Sequence, residues 1–265
     1  GIMTGGMAGV IFGRSFYSRF KSMPDGLSGG PVMREGNSAE EKKEFIAEIA
    51  GYFEKTRFAR VDIYNPPEGL EGDFFQKRQN ITRVINFEGG RYRPSDSEVP
   101  RHIRHGQKEG GIISGLIEVN DLGQFYKLVI ETSSRHGQKP RYSPEFFREL
   151  RALAKNDGRV IWPVVYFHDV AVASHIYFLE RGEMFHWQGF SAREHWSLKP
   201  NHLLLNFIIE FCLKNRIKSL DLGGSPPDAK GLREFKEGWG GVEAKRDYYT
   251  YLGGLGKLYF RGKRA

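Results

Sequence analysis

Ser219-Leu-Asp-Leu-Gly-Gly-Ser-Pro-Pro-Asp-Ala-Lys-Gly-Leu-Arg-Glu-Phe-Lys-Glu-Gly-Trp-Gly-Gly241 runs from a short apolar strand through a glycine-rich loop into a helix that carries Phe235 and Lys236. Residues Ile217 to Leu222 mix apolar and polar positions and alternate at the end, as a partly buried strand does. Gly223 and Gly224 then permit a backbone path closed to most residues, or close approach of a ligand. Ser225 or Asp228 is placed to cap the helix. The aromatic run Tyr248-Tyr-Thr-Tyr-Leu252 follows as another strand.

Moving upstream, an apolar helix spans about 201–214. Before it, three strands are predicted at Arg159 to Phe167, Val170 to Leu179 and Glu183 to Phe190, joined by tight turns at His168-Asp169 and Arg181-Gly182. Ser143 with Pro144 opens a helix that reaches about Lys155. The first half has a similar rhythm. Residues 8–17 read as a strand and residues 22–31 as a turn-rich loop. Ser38 and Glu41 form a capping box ahead of a helix lined by Phe45, Ile46, Ile49, Ala50 and Phe53. Strands at 59–64 and 80–87, a basic helix near 98–109 and a strand at 111–119 follow. Asn120 or Asp121 then caps a helix with Phe125, Leu128 and Val129 on its apolar face. This order of elements predicts an α+β layered architecture with mixed sheets. The repeated rhythm divides it into two related domains, residues 1–130 and 131–265.

A chain of 265 residues supports one large domain or two of ordinary size. Its single cysteine, Cys212, lies in an apolar run, which favours a buried thiol and excludes a disulfide framework within the chain. Every apolar run is far shorter than the roughly 20 residues of a membrane helix. The expected location is cytoplasmic, or peripheral at the inner face of the membrane, without stable insertion. A formal charge of +8 suits anionic partners. The densest basic stretch is residues 101–108, with others at 135–141 and in the tail 261–264. His102 and His105 lack acidic or cysteine partners at ligand spacing, so no metal site is expected. Gly110 to Gly115 lacks the Gly-Lys-Ser/Thr ending of a phosphate loop. His186 and Trp187, on an alternating strand, read as packed against the sheet.

The segments 22–31, Arg101-His-Ile-Arg104 with Lys108, Phe125 to Leu128, Tyr142 to Phe147, Pro200 to Leu204, Asp221 to Gly224 and Gly231 to Lys236 with Trp239-Gly240 occur in the order seen in FemAB-like proteins. The chain therefore resembles these GNAT-fold acyltransferases, which include the aminoacyl-tRNA-dependent enzymes that build peptidoglycan cross-bridges. The likeness covers most of the chain, and Phe235-Lys236 followed by the aromatic-glycine pair is its most specific part. It implies two tandem GNAT-like domains with mixed, mainly antiparallel sheets flanked by helices, the first N-terminally incomplete, and an acceptor held in the cleft between domains.

The resemblance implies aminoacyl transfer from a charged tRNA to an amine of an anionic cell-envelope precursor. An acyl-CoA-dependent N-acyltransferase of sugar or exopolysaccharide metabolism and a non-catalytic nucleic-acid-binding module are the alternatives. No cofactor is expected unless acyl-CoA is the donor. Acetyl-CoA-dependent members of the fold hold the pyrophosphate on a glycine-rich loop at a helix N-terminus. Here that place reads Trp196-Ser-Leu-Lys-Pro-Asn-His-Leu203, without such glycines, and Lys199, Asn201 and His202 are the donor-binding candidates. Lys236 is the candidate for stabilising the oxyanion of acyl transfer, with Phe235 packed against substrate or helix. Asp221 is the candidate base or orienting group, or else a loop cap. Arg101, Arg104 and Lys108 share a helix face suited to phosphates or to solvent, and Arg141 and Tyr142 complete the substrate-binding set.

Overall fold

The computed structural model describes residues 5–13, 18–23, 29–34, 36–56, 58–64, 66, 70, 74–254 and 256–257. The predicted strand 8–17 and loop 22–31 are therefore described only in part, and the basic tail 261–264 lies outside the described residues. The chain opens with β1 (Gly5–Gly6), β2 (Val10–Phe12), β3 (Arg19–Lys21) and β4 (Val32–Met33). Then come α1 (Ala39–Lys55), β5 (Arg60–Tyr64), β6 (Gln76–Asn86), α2 (Val99–Lys108), β7 (Ile112–Ser114) and α3 (Leu122–Arg135). It continues through α4 (Pro144–Asn156), β8 (Val160–Ile161), β9 (Val164–Phe167), β10 (Val170–Glu180) and β11 (Glu183–Ser191). The last elements are α5 (Pro200–Lys214), β12 (Ser219–Asp221), α6 (Lys230–Gly238) and β13 (Val242–Leu252).

Two compact units result, Gly1–Ile81 with Lys245–Ala265, and Thr82–Ala244. The division expected at residue 130 thus falls inside α3. Local rhythm hid the reason: β7 pairs with β9 through Ile113↔Val165, which ties residues on both sides of 130 into one sheet. In the first unit β2, β3, β5 and β13 are neighbours in that order, with β3 and β5 parallel. The capping box of α1 forms as expected: Ser38 N–H donates to Glu41 Oε2 at 2.7 Å, and Glu41 N–H donates to Ser38 Oγ at 3.2 Å. The helix then packs Phe53 against Phe58, Val61, Ile63 and Tyr249.

The second unit orders its strands as the end of β6, then β12, β11, β10, β9 and β7. Only β11 and β12 are parallel, so the sheet is mixed and mainly antiparallel. Both predicted two-residue turns form, with positive φ at His168 (48°), Asp169 (62°), Arg181 (52°) and Gly182 (81°). That is the type I′ pattern, whose twist suits hairpins. The expected strand 159–167 is broken, because Trp162 and Pro163 separate β8 from β9. Pro163 has no N–H for a ladder; its carbonyl accepts from Ser174 Oγ at 2.9 Å instead. Leu205, Ile208, Ile209 and Cys212 of α5 cover one face, against Tyr177, Met184 and Leu220. The Cys212 thiol is buried as expected, and burial pushes its pKa up to about 12. On the opposite face Phe125 of α3 meets Trp162, Phe190 and Phe147 of α4 edge-on, and Phe147 meets Phe190 in the same way.

Two predicted caps are absent. The N-cap of α6 is Ala229, without a side-chain bond, rather than Ser225 or Asp228. Asp121 precedes α3 without capping it, because its carboxylate accepts from Tyr166 Oη at 2.7 Å.

Candidate active site

β11 and β12 pair only through Glu183↔Ser219, Met184↔Leu220 and Phe185↔Asp221. β12 then ends, while β11 continues to Ser191. Leu222 N–H donates to the Arg83 carbonyl at 2.8 Å, keeping the chain with β6 as it leaves β11. The two parallel strands therefore fork at His186. Gly223, with φ 74°, takes the turn that opens the fork, and a Cβ there would stand 3.8 Å from the His186 carbonyl.

Lys236 holds the glycine loop. Its Nζ donates to the Gly223 carbonyl at 3.0 Å and the Gly224 carbonyl at 2.7 Å. The side chain is 6% exposed, and burial pushes its pKa down to about 8, against the pull of Asp221. Asp221 is buried beside it, where it accepts from Thr82 Oγ1 and, at 2.8 Å, from the Gly223 N–H. Its carboxylate thus anchors the turn, as the loop-cap reading has it. Both residues converge on one loop, with Lys236 supplying a cation and Asp221 supplying shape.

A β-bulge sits at the same level of β11. Ile176 faces Gln188 while Tyr177 faces His186, so Trp187 is the extra residue. The bulge shifts the alternation, and Trp187 and Gln188 share one face. Trp187 meets Tyr142, Phe146 and Phe178 there. His186 points the other way, with its ring 4.7 Å from His175 and 5.1 Å from Tyr177. His175 Nδ1 lies 2.9 Å from Tyr177 Oη, and its Nε2 lies 3.2 Å from Asn201 Oδ1. Burial holds the pKa of His175 down to about 4 and that of His186 well below the usual imidazole range, the latter also through His175 and Lys236. Spacing in the sequence does not bring these two imidazoles together, although a lone glycine in a strand pattern, Gly189, is a bulge signal.

On the Trp187 face lies a cleft of about 400 Å³, floored by Gln188, Gly189 and Phe190 and walled by the end of α3 and residues 136–142. His136, Lys139 and Arg141 line it and no carboxylate does. Arg141 and Tyr142, predicted to bind substrate, are both in this wall. Thr132 Oγ1 accepts the Ser191 N–H at 3.2 Å and Arg135 Nη1 donates to the Ser191 carbonyl at 3.1 Å, fixing the helical wall to the floor.

The other candidates lie elsewhere. Arg101, Arg104 and Lys108 occupy the exposed face of α2, Arg101 paired with Glu98, and none lines the cleft. Phe235 packs on His202, 5.1 Å between rings, and His202 also meets Trp239 and His102. Burial, His102 and Lys199 bring the His202 pKa down to about 4. Asn201 is engaged by His175. Lys199, with φ 56°, precedes α5, and its carbonyl accepts the N–H groups of His202 (3.0 Å) and Leu203 (3.3 Å). Among the described residues no helix is long and apolar enough to cross a membrane, and no group of three His, Cys, Asp or Glu is placed to hold a metal.

A forked parallel pair, with the helix α5 running between its strands, is the frame of an acyltransferase. Residues 96–237, more than half of the chain, match the family model described as an acetyltransferase (GNAT) domain, and the chain belongs to that family. The fold is similar to that of FemX, with a TM-score of 0.67 and 13% identity over 96% of this chain and 86% of that one. It is also similar to that of L-PGS from Bacillus licheniformis, with a TM-score of 0.64 and 13% identity over 96% and 85%. None of the curated protein sequences matches the chain.

Proposed function

We propose that this acyltransferase moves an aminoacyl group from a charged tRNA to an amine on an anionic cell-envelope precursor. The start of α5 carries the proposal. A pyrophosphate at a helix N-terminus needs unengaged backbone donors there. Pro200 has none, and those of His202 and Leu203 are bonded to the Lys199 carbonyl. Of the first three positions of α5 only Asn201 keeps an N–H outside these bonds, so this end of the helix offers few donors to the pyrophosphate of coenzyme A. The basic cleft supports an anionic acceptor, with Arg141 and Lys139 as its grip. Similarity of fold to FemX and L-PGS agrees with an aminoacyl donor. Lys236 keeps a positive charge inside the fork, where an oxyanion on the attacked carbonyl gains more from it than the neutral ester does.

The test offers the protein charged tRNA or acetyl-CoA, each with amine-bearing anionic peptide acceptors, and follows the labelled acyl group. Transfer from charged tRNA is expected, with Arg141→Ala raising the KM of the acceptor roughly tenfold. Transfer from acetyl-CoA alone overturns the proposal in favour of the coenzyme A alternative.

A further inference from the structure

Between β11 and α5 the chain makes a short 3₁₀ helix, Arg193–Leu198. Of the four tryptophans, Trp196 on this helix alone is exposed, at 43%. Burial is the favourable course for an indole, yet this ring is held in the open. Its Nε1–H donates to Ser191 Oγ at 3.0 Å. The Arg135 guanidinium lies 5.0 Å from the ring centre and is itself fixed by the Ser191 carbonyl. The guanidinium of the exposed Arg193 lies 6.0 Å from the same ring. The nearby carboxylates are engaged: Glu131 pairs with Arg135 at 3.6 Å and accepts the Arg193 backbone N–H at 2.7 Å, and Glu194 pairs with His195 at 3.2 Å. A nucleobase stacks on such a ring while its phosphate meets the cation at the edge.

The surroundings narrow the ligand further. Ser191 ends β11, roughly 16 Å along the strand from His186, where the fork opens. A base on Trp196 is therefore a few nucleotides away from an acyl group beside Lys236. On the other side, the basic helix α2 begins to follow where the 3₁₀ helix ends. A His105 ring nitrogen lies 3.2 Å from the Ser197 carbonyl, and a Cβ at Gly106 would stand 2.9 Å from the Leu198 carbonyl. Arg104 and Lys108 share the exposed face of α2, while Arg101 is paired with Glu98 and His105 with Glu109. Coenzyme A or a mononucleotide with its base on Trp196 ends there, whereas a nucleic-acid strand continues across α2.

We propose that Trp196, with Arg193 beside it, stacks a base in the unpaired 3′ end of an RNA, and that Arg104 and Lys108 hold phosphates of the adjoining stem. The proposal deepens the charged-tRNA reading and rests on it for the identity of the RNA. A membrane surface fits less well, because the neighbours Arg193, Glu194, His195 and Ser197 are polar and Trp196 belongs to no apolar helix face.

Fluorescence of the full chain tests the surface, since the other three tryptophans are buried beyond the reach of a stacked base. Uncharged tRNA is expected to quench the emission, and Trp196→Leu to remove the quench and weaken binding roughly tenfold. Trp196→Phe keeps a ring and is expected to hold the affinity within about threefold. Arg104→Gln with Lys108→Gln is expected to lower the slope of log affinity against log salt by about 1.8, with the quench at saturation retained. Transfer RNA trimmed of its unpaired 3′ end is expected to bind without quenching. Equal affinity of Trp196→Leu and the unaltered protein, or an unchanged salt slope in the double variant, overturns the proposal. So does a quench by coenzyme A, uridine diphosphate or phosphatidylglycerol vesicles where tRNA gives none. The donor reading fails separately. Aminoacyl transfer from charged tRNA that Trp196→Leu leaves unchanged removes the surface and keeps the reading, whereas Trp196-dependent tRNA binding without aminoacyl transfer removes the reading and keeps the surface.

Discussion

Replacing Lys236 by Met separates the chemistry of the fork from its stability. The side chains have similar length, so the change removes the ammonium without opening a large cavity. In the folded protein the Lys236 pKa is about 8, down from 10.5, chiefly because of burial. At 1.36 kcal/mol per pH unit, the charged form is disfavoured by roughly 3 kcal/mol. Against this, Met leaves the Gly223 and Gly224 carbonyls without their donor, worth on the order of 1 kcal/mol each where water can replace it. At pH 7 the variant should therefore be as stable as the unaltered protein, or more stable by about 1 kcal/mol. Its activity should nevertheless fall at least a hundredfold. The pH dependence sharpens the test. Below pH 8 both folded and unfolded lysine are charged, and the burial penalty is fully present. Between pH 8 and 10.5 the unfolded chain keeps a proton that the folded one has lost, so stability of the unaltered protein rises with pH. The methionine variant lacks that contribution. Urea unfolding of both proteins at steps from pH 7 to 10.5 should show the stability difference moving by roughly 3 kcal/mol in favour of lysine. A difference that stays flat within about 0.5 kcal/mol, well below the linkage effect, would refute the argument.

Asp221→Ala should destabilise the protein by about 2 kcal/mol in urea unfolding, because Thr82 Oγ1 and the Gly223 N–H both lose their acceptor. Asp221→Asn keeps an acceptor and should lose about half as much; equal losses would argue against hydrogen bonding as the cause. His175 stays neutral in the fold down to about pH 4, whereas the unfolded chain takes up its proton near 6.5. Its contribution to stability is present above 6.5 and is lost on acidification from 6.5 to 4, by roughly 3 kcal/mol. Thermal unfolding across that window should show a slope that His175→Gln reduces, and an unchanged slope would count against the buried neutral imidazole.

Signals that act over a few residues were legible in the sequence. Ser38 and Glu41 fix the start of α1, and Arg181-Gly182 fixes the turn between β10 and β11, because each depends on neighbours in the chain. The position of Lys236 beside the glycine loop was legible in the same way. Its bonds to Gly223 and Gly224 were not, since nothing in the spacing says which way the side chain returns. The division of the chain is not legible locally, because pairing of β7 with β9 depends on contacts some fifty residues apart. Gln188 in the cleft floor escaped for a subtler reason. A strict two-residue period treats Glu183 to Ser191 as a plain strand, whereas one extra residue at Trp187 brings that ring and Gln188 onto the same face.

The two tight turns also bear on the order of folding. β9, β10 and β11 meet through neighbours in sequence, so their ladder closes small loops and forms quickly. Thr82 meets Asp221 across 139 residues, a closure that costs more chain entropy and comes later. The meander is thus a template on which the fork is completed last. An incompletely folded chain holds most of its meander but not yet the loop that Lys236 and Asp221 shape, so acyl transfer waits on a contact between residues 139 apart in the chain.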